Sequence, residues 1–339
     1  MSNRGFALDG ESPKVKIRVG VIGVGYLGQH HARIYSELSS GAPKKSQDFL
    51  GYPDVHFVGV ADIDFRRAED IAEKYGVSAF KDYHGIMDKV DAVSIAVPTS
   101  LHHAVASEFI DEGIDILIEK PITTMLNEAD DLIMRAEKKG VILQVGHSER
   151  FNPAVSVLSD IIDAPFFVDS QRLAPFVERG TDVDVTVDLM IHDIDIILSL
   201  VNSNVKEVRA CGSSVLTPLL DLANARLVFE NGCIANITVS RVSPEKVREI
   251  RFFQSNACIS LNYQTLEIAI SRNTISDGGK PYQITETIKV NKKEPLREEI
   301  TAFIQSVSNR TKPAVSGIDG REALRIALIV SEIAKRNPQ

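Results

Sequence analysis

The chain has 339 residues, 44% hydrophobic and 25% charged, with a formal net charge of −8. That length suits two domains better than one, and the apolar content suffices for a sizeable core. No run approaches the ~20 apolar residues of a membrane span. MSNRGFALDGESPK has no signal-like stretch, and no basic block could neutralise a phosphate backbone. A cytoplasmic protein with no membrane and no nucleic acid among its partners is expected.

Residues 15–24, VKIRVGVIGV, form a short apolar, β-branched run closing on glycines, the pattern of a buried parallel strand. Helical spacing follows over 27–38. The segment 39–54, rich in Gly, Pro and Ser, reads as a surface insertion. Strands over 55–62, 91–98, 114–121 and 141–147 then alternate with helices over 65–75, 101–112 and 127–139. Such alternation predicts a doubly wound parallel sheet with helices on both faces.

After about residue 150 the texture changes. Segments 166–173, 205–216, 223–230, 232–242, 247–262 and 265–271 are strand-like and joined by turns, and only 185–201 is strongly helical. The last 45 residues return to helix, at 295–309 and 321–336. The expected architecture is α/β: a Rossmann domain over 1–149, then an α+β domain over 150–339 with an open, largely antiparallel sheet. The C-terminal helices are free to pack back on the first domain. Cys211, Cys233 and Cys258 lie far apart in strand-like stretches, which predicts free thiols rather than disulfides or a metal site.

Gly23-Val24-Gly25-Tyr26-Leu27-Gly28 supplies G-x-G-x-x-G between a predicted strand and a predicted helix. Gly23 permits the tight turn, Gly25 lets the backbone approach a pyrophosphate, and Gly28 lets helix and strand pack closely. The helix N-terminus offers free N–H groups to the phosphates. Asp62 closes the second strand as the ribose acceptor, displaced along the chain by the 39–54 insertion. An acid there favours NAD over NADP, although Arg66 and Arg67 follow closely.

Lys120 ends the apolar strand IDILIEKP, where open α/β sheets place ligands. Asp188, His192 and Asp195 fall at i, i+4 and i+7, so one helical face carries all three. That trio suits proton transfer from an alcohol. By itself it equally allows a metal site or a histidine satisfied in the core.

Taken in order, GVIGVGYLGQHHA, VADID, VPTSLHHAVA, IEKP and DLMIHDID resemble the glucose–fructose oxidoreductase/inositol 2-dehydrogenase (Gfo/Idh/MocA) family over nearly the whole chain. NAD is the expected cofactor on the strength of Asp62, and with no second ligand cluster beside the trio no metal is expected. The resemblance implies a lysine near nicotinamide and substrate at Lys120, and a histidine acid/base at His192 oriented by Asp188. Pro98, Thr99, His102 and Glu119 fall on the cofactor side. It also implies a cis Lys120–Pro121 bond and a homodimer or homotetramer built through the second sheet.

GHSERFNPAV (146–155), SQRLAPFVERGTDVDV (170–185) and DLMIHDIDIILSLV (188–201) resemble, more narrowly, the bacterial UDP-N-acetylglucosamine 3-dehydrogenases. This implies oxidation of a UDP-sugar at C3, followed by a PLP aminotransferase in diamino-sugar synthesis for lipid A or surface polysaccharide. Arg150, Asn152, Arg172 and Arg179 are then candidates for holding the substrate, arginine because its fork donates bidentately. Another polyol substrate, such as an inositol, a free sugar or a UDP-sugar uronate, stays open, as does a non-catalytic NAD-binding sensor.

Overall fold

The computed structural model of the chain describes residues 16–40, 53–177, 182–276 and 279–337. Most of the 39–54 insertion, and Arg179, lie outside the described residues.

β1 (Ile17–Ile22) is buried at every position except Arg18, as a strand covered on both faces must be. It is followed by α1 (Gly28–Ser39), β2 (Val55–Ala61), α2 (Phe65–Tyr75), β3 (Ser78–Phe80), the single turn α3 (His84–Met87), β4 (Ala92–Ile95), α4 (His102–Asp111), β5 (Asp115–Glu119), α5 (Leu126–Lys139) and β6 (Leu143–Gly146). These strands form one six-stranded sheet in the order β3-β2-β1-β4-β5-β6. β1 runs parallel to both β2 and β4, so the winding reverses there and opens a crevice at the carboxyl ends of the strands. Asp64 caps α2 by accepting from the Arg67 N–H, and Gly76, left-handed at φ 66°, ends it.

The second half comprises α6 (Pro153–Ile161), β7 (Phe167–Leu173), α7 (Ile191–Val201), β8 (Val205–Ser213), β9 (Leu222–Phe229), β10 (Ile234–Ser240), β11 (Val247–Gln254), β12 (Ala257–Asn262), β13 (Glu267–Ile275) and β14 (Pro281–Lys289). α8 (Pro295–Asn309) and α9 (Gly317–Arg336) complete the chain. The eight strands form one sheet in the order β14-β13-β12-β11-β7-β10-β9-β8. It is antiparallel apart from the β7–β10 pair. Burial alternates along β7 and β9, leaving one face inward and the other open. α9 packs on β8 and on α7. Ile191, Ile194, Ile196 and Ile197 of α7 are fully buried, each worth about 1.5–3 kcal/mol.

By contact density the chain divides into one unit of Met1–Ile118, Arg135–Leu143 and Ile300–Ala314, and another of Glu119–Met134, Gln144–Glu299 and Val315–Gln339. Among the described residues, no helix is long and apolar enough to cross a membrane. All three cysteines are free.

Several elements differ from the sequence expectation. α6 was not anticipated, although Asn152 caps it by accepting from the Ala154 N–H at 3.0 Å and Pro153 sits in its first turn. β14 also escapes the pattern, because all nine of its residues are exposed and no apolar alternation marks a buried face. The 247–262 run is two strands broken at 255–256. The expected helix over 185–201 opens with a π turn, Thr186–Met190, before α7 begins.

Candidate active site

In the first unit, the loop after β1 is built from backbone. Gly23 takes φ 84°, open to glycine at little cost, and its N–H donates to Ala61 O at 2.7 Å. A Cβ added at Gly28 would lie 1.8 Å from Gly23 O, so only glycine lets α1 start this close to the strand end. At Gly25 an added Cβ meets nothing within 4 Å, which leaves bare backbone for a pyrophosphate. Tyr26 is exposed, and Leu27 lies half-buried just ahead of the helix.

Asp62 is only 8% exposed. Its carboxylate accepts from the Val24 N–H at 2.8 Å and from the Asp64 N–H at 2.9 Å, tying the glycine loop to the end of β2. Two of about four acceptor sites are thereby taken, and the rest can receive ribose hydroxyls. Arg67 sits on Asp62 at 3.6 Å and Asp64 at 3.3 Å, so it is engaged by acids rather than offered to a 2′-phosphate. These residues fit NAD.

Pro98 and Thr99 form the turn after β4. Buried His102 donates from Nε2 to Val97 O at 3.0 Å and fixes that turn. The two glycines give a differential expectation. Gly28→Ala should abolish NADH binding and lower the melting temperature, because the Cβ meets rigid backbone. Gly25→Ala should keep the melting temperature and weaken NADH alone. Fluorescence titration with NADH, alongside thermal unfolding, reads both.

In the second unit, buried Glu119 is followed by Lys120 and a cis Lys120–Pro121 bond, as the resemblance implies. Lys120 Nζ donates to Asp188 O at 2.8 Å and lies 3.4 Å from Asp188 Oδ1. Asp188 therefore holds Lys120, whereas the sequence reading had it orient His192. Nor does Asp195 serve the histidine. It accepts from Arg150 Nε at 2.9 Å and Nη2 at 2.5 Å. The π turn alters the expected face, since the wider turn breaks α-helical spacing between Asp188 and His192.

His192 Nδ1 is buried without a hydrogen-bond partner among the described residues. Edge-on to His192, with ring centroids 6.4 Å apart, stands buried His147, neither of whose nitrogens has a partner among the described residues. Burial, then the charges of Lys120, Arg172, His147 and Arg248, hold the His192 pKa well below its ordinary value. Burial lowers the His147 pKa as well, with Asp195 opposing. Both imidazoles are therefore neutral at neutral pH and able to accept a proton.

The expected substrate residues are engaged within the fold. Arg150 is bound to Asp195, and Asn152 caps α6. Arg172 meets Asp193 at 2.7 and 3.2 Å, with its guanidinium over the Tyr263 ring. Burial alone would lower the Arg172 pKa, but Asp193 and Glu149 outweigh it and raise it. A cavity of about 600 Å³ is lined by Arg150, Asp195, Asn202, Glu230, Asp319 and Glu322 among others, but by none of Lys120, Asp188 and His192. The site is assigned on the lysine–histidine group because proton chemistry needs those side chains, whatever the size of a hollow elsewhere.

His147 and Glu299 escaped the sequence reading. Glu299 is wholly buried, and both its carboxyl oxygens lack a hydrogen-bond partner among the described residues. Burial, with Glu119 and Asp195 nearby, pushes its pKa far above the usual carboxylate range. No local pattern announces such a residue, because Glu299 sits in a helix beside a second, half-buried Glu298.

Comparison with known proteins completes the description. Residues 17–147 match the model of an oxidoreductase family with an NAD-binding Rossmann fold, and residues 165–260 match the GFO/IDH/MocA C-terminal domain. The chain is 36% identical over 319 residues to a UDP-N-acetylglucosamine 3-dehydrogenase of Acidithiobacillus ferrooxidans, covering 93% of this chain and 96% of that one. A solved structure of the A. ferrooxidans enzyme superposes with TM-score 0.85 at 33% identity, covering 95% of this chain and 99% of the other. A scyllo-inositol 2-dehydrogenase (NAD(+)) of Bacillus subtilis is 27% identical, over 92% of each chain.

Proposed function

The chain belongs to the Gfo/Idh/MocA family of NAD-binding oxidoreductases, and from that premise we propose that it oxidises the C3 hydroxyl of UDP-N-acetylglucosamine to a ketone. The carrying observation is the pairing of an ammonium group held on Asp188 with a neutral, half-buried imidazole at His192. The substrate follows from the identity with the A. ferrooxidans dehydrogenase along almost the full length of both chains.

Gly23, Gly25, Gly28 and Asp62 would hold NAD, which when bound supplies the hydride acceptor. Lys120 donates two N–H groups toward Asp188 and keeps a third for the substrate oxygen. There it orients the hydroxyl and stabilises the negative charge that grows as the proton leaves. His192 accepts that proton. Asp188 acts on Lys120, through its backbone carbonyl first and its carboxylate second.

The resulting 3-keto sugar has the carbonyl that a PLP aminotransferase requires. This places the enzyme at the first step of diamino-sugar synthesis, for lipid A or surface polysaccharide, in the cytoplasm where NAD and nucleotide sugars are held. The open face of the eight-stranded sheet is the surface for a homodimer or homotetramer.

The test is absorbance at 340 nm after mixing protein, NAD+ and UDP-N-acetylglucosamine, with aminotransferase and glutamate present to draw off product. A rise that needs the UDP-sugar supports the reading. A rise with myo-inositol or a free hexose, and none with UDP-sugars, would keep the chemistry and replace the substrate.

A further inference from the structure

Arg248 on β11 stands directly opposite Arg172 on β7 in the antiparallel register. Arg248 is in phase with buried Ile250 and Phe252, just as Arg172 is with Val168 and Ser170, so both arginines occupy the inward face of the sheet. Their chemical situations differ. Arg172 binds Asp193 through two nitrogens, and each group is almost wholly out of solvent. Glu149 lies 3.7 Å from Arg172 and 3.7 Å from Arg248. With Asp193 committed to Arg172, Glu149 is the carboxylate within 4 Å of Arg248 among the described residues.

The five N–H donors of Arg248 make no hydrogen bond among the described residues, and Nε is buried. The side chain nevertheless keeps 34% of its surface open. A buried Nε–H without an acceptor is costly, and native proteins complete such groups with ligand or water. Burial, then the charge of Arg172, lowers the Arg248 pKa against the opposing pull of Glu149 and Asp193. The Arg248 charge also acts on His192, which places it in the neighbourhood of the proton acceptor.

We propose that Arg248 recognises the diphosphate of the nucleotide sugar while His192 faces the C3 hydroxyl of the same substrate. The inference rests on the UDP-sugar reading and deepens it. The geometry favours an anion, because the Glu149 carboxylate that Arg248 shares with Arg172 stands 3.7 Å away, beyond hydrogen-bond reach. A guanidinium also matches two phosphate oxygens with two parallel N–H groups. Arg172, already bound through two nitrogens to Asp193, backs the site and does not touch the ligand.

The test uses Arg248→Met, which keeps the stem and removes the charge, and Arg248→Lys, which restores charge without the fork. UDP is the probe, by calorimetry and as an inhibitor competing with UDP-N-acetylglucosamine. For Arg248→Met, UDP binding should weaken about 10- to 100-fold and KM for the UDP-sugar should rise in parallel, falling more on KM than on kcat. Arg248→Lys should recover part of both. NADH titration and thermal unfolding check that each variant is folded.

Unchanged UDP affinity in folded Arg248→Met overturns the proposal. So does a raised KM with unchanged UDP binding, which would move the contact to the sugar. If the wild-type protein binds UDP but never turns over UDP-sugars, the functional reading fails, while the calorimetric comparison still decides the role of Arg248. No UDP binding by the wild type overturns both.

Discussion

His192→Ala should lower kcat by about 10²- to 10⁴-fold, the range for loss of a positioned general base, and leave NAD affinity intact. Lys120→Ala should fall as far, because it removes the donor that meets the reacting oxygen. Asp188→Asn should be milder, since the shorter contact to Lys120 is made by the Asp188 backbone carbonyl. Steady-state kinetics with NADH titration reads all three. Unchanged turnover in both alanine variants would falsify the assignment.

The pH profile follows from the same residues. The His192 pKa is depressed by burial and by neighbouring cations, so the wild-type kcat/KM should be level near neutrality and decline only well on the acid side. His192→Ala should lose that acid limb. Stability moves in the same direction. Below about 6.5 an unfolded chain protonates its histidines, whereas folded His147 and His192 resist, so each withdraws stability as pH falls.

Arg172→Met should be the most damaging single change to stability. It leaves the carboxylate of Asp193 buried without its guanidinium, a loss of about 3–5 kcal/mol for breaking one side of such a pair. Ser170 Oγ, 3.1 Å from Asp193 Oδ1, cannot replace a charge. The double variant Arg172→Met/Asp193→Leu should regain most of the loss, because two apolar groups of similar volume leave nothing ionised behind. Thermal unfolding of the four-member cycle measures this. A variant that melts like the wild type but shows a raised KM would instead return Arg172 to direct substrate contact.

The glycine loop, Asp62, Lys120 and the Asp188–His192 segment were legible because each depends on local spacing or on a place at a strand end. What escaped depends on partners far away in the chain. That Asp188 serves Lys120 is a contact across 68 residues, and Arg150 meets Asp195 across 45. Arg248 had a readable signal, a cation in step with Ile250 and Phe252 on one strand face. Its significance appears only when β7 places Arg172 beside it. β14 left no trace for a simpler reason: a strand with neither face buried needs no apolar alternation.

The π turn at Thr186–Met190 sets a constraint of length rather than of composition. The Ile191 N–H reaches back five residues to Thr186 O, one more than an α-helix allows. Deleting a residue between Asp188 and His192 would restore the tighter winding and change the direction in which Asp188 projects. Lys120 would lose its anchor although every residue type in the site was still present. Among related chains, gaps between 186 and 190 should therefore be rare, and a sequence with one residue fewer there should be read as having lost the activity.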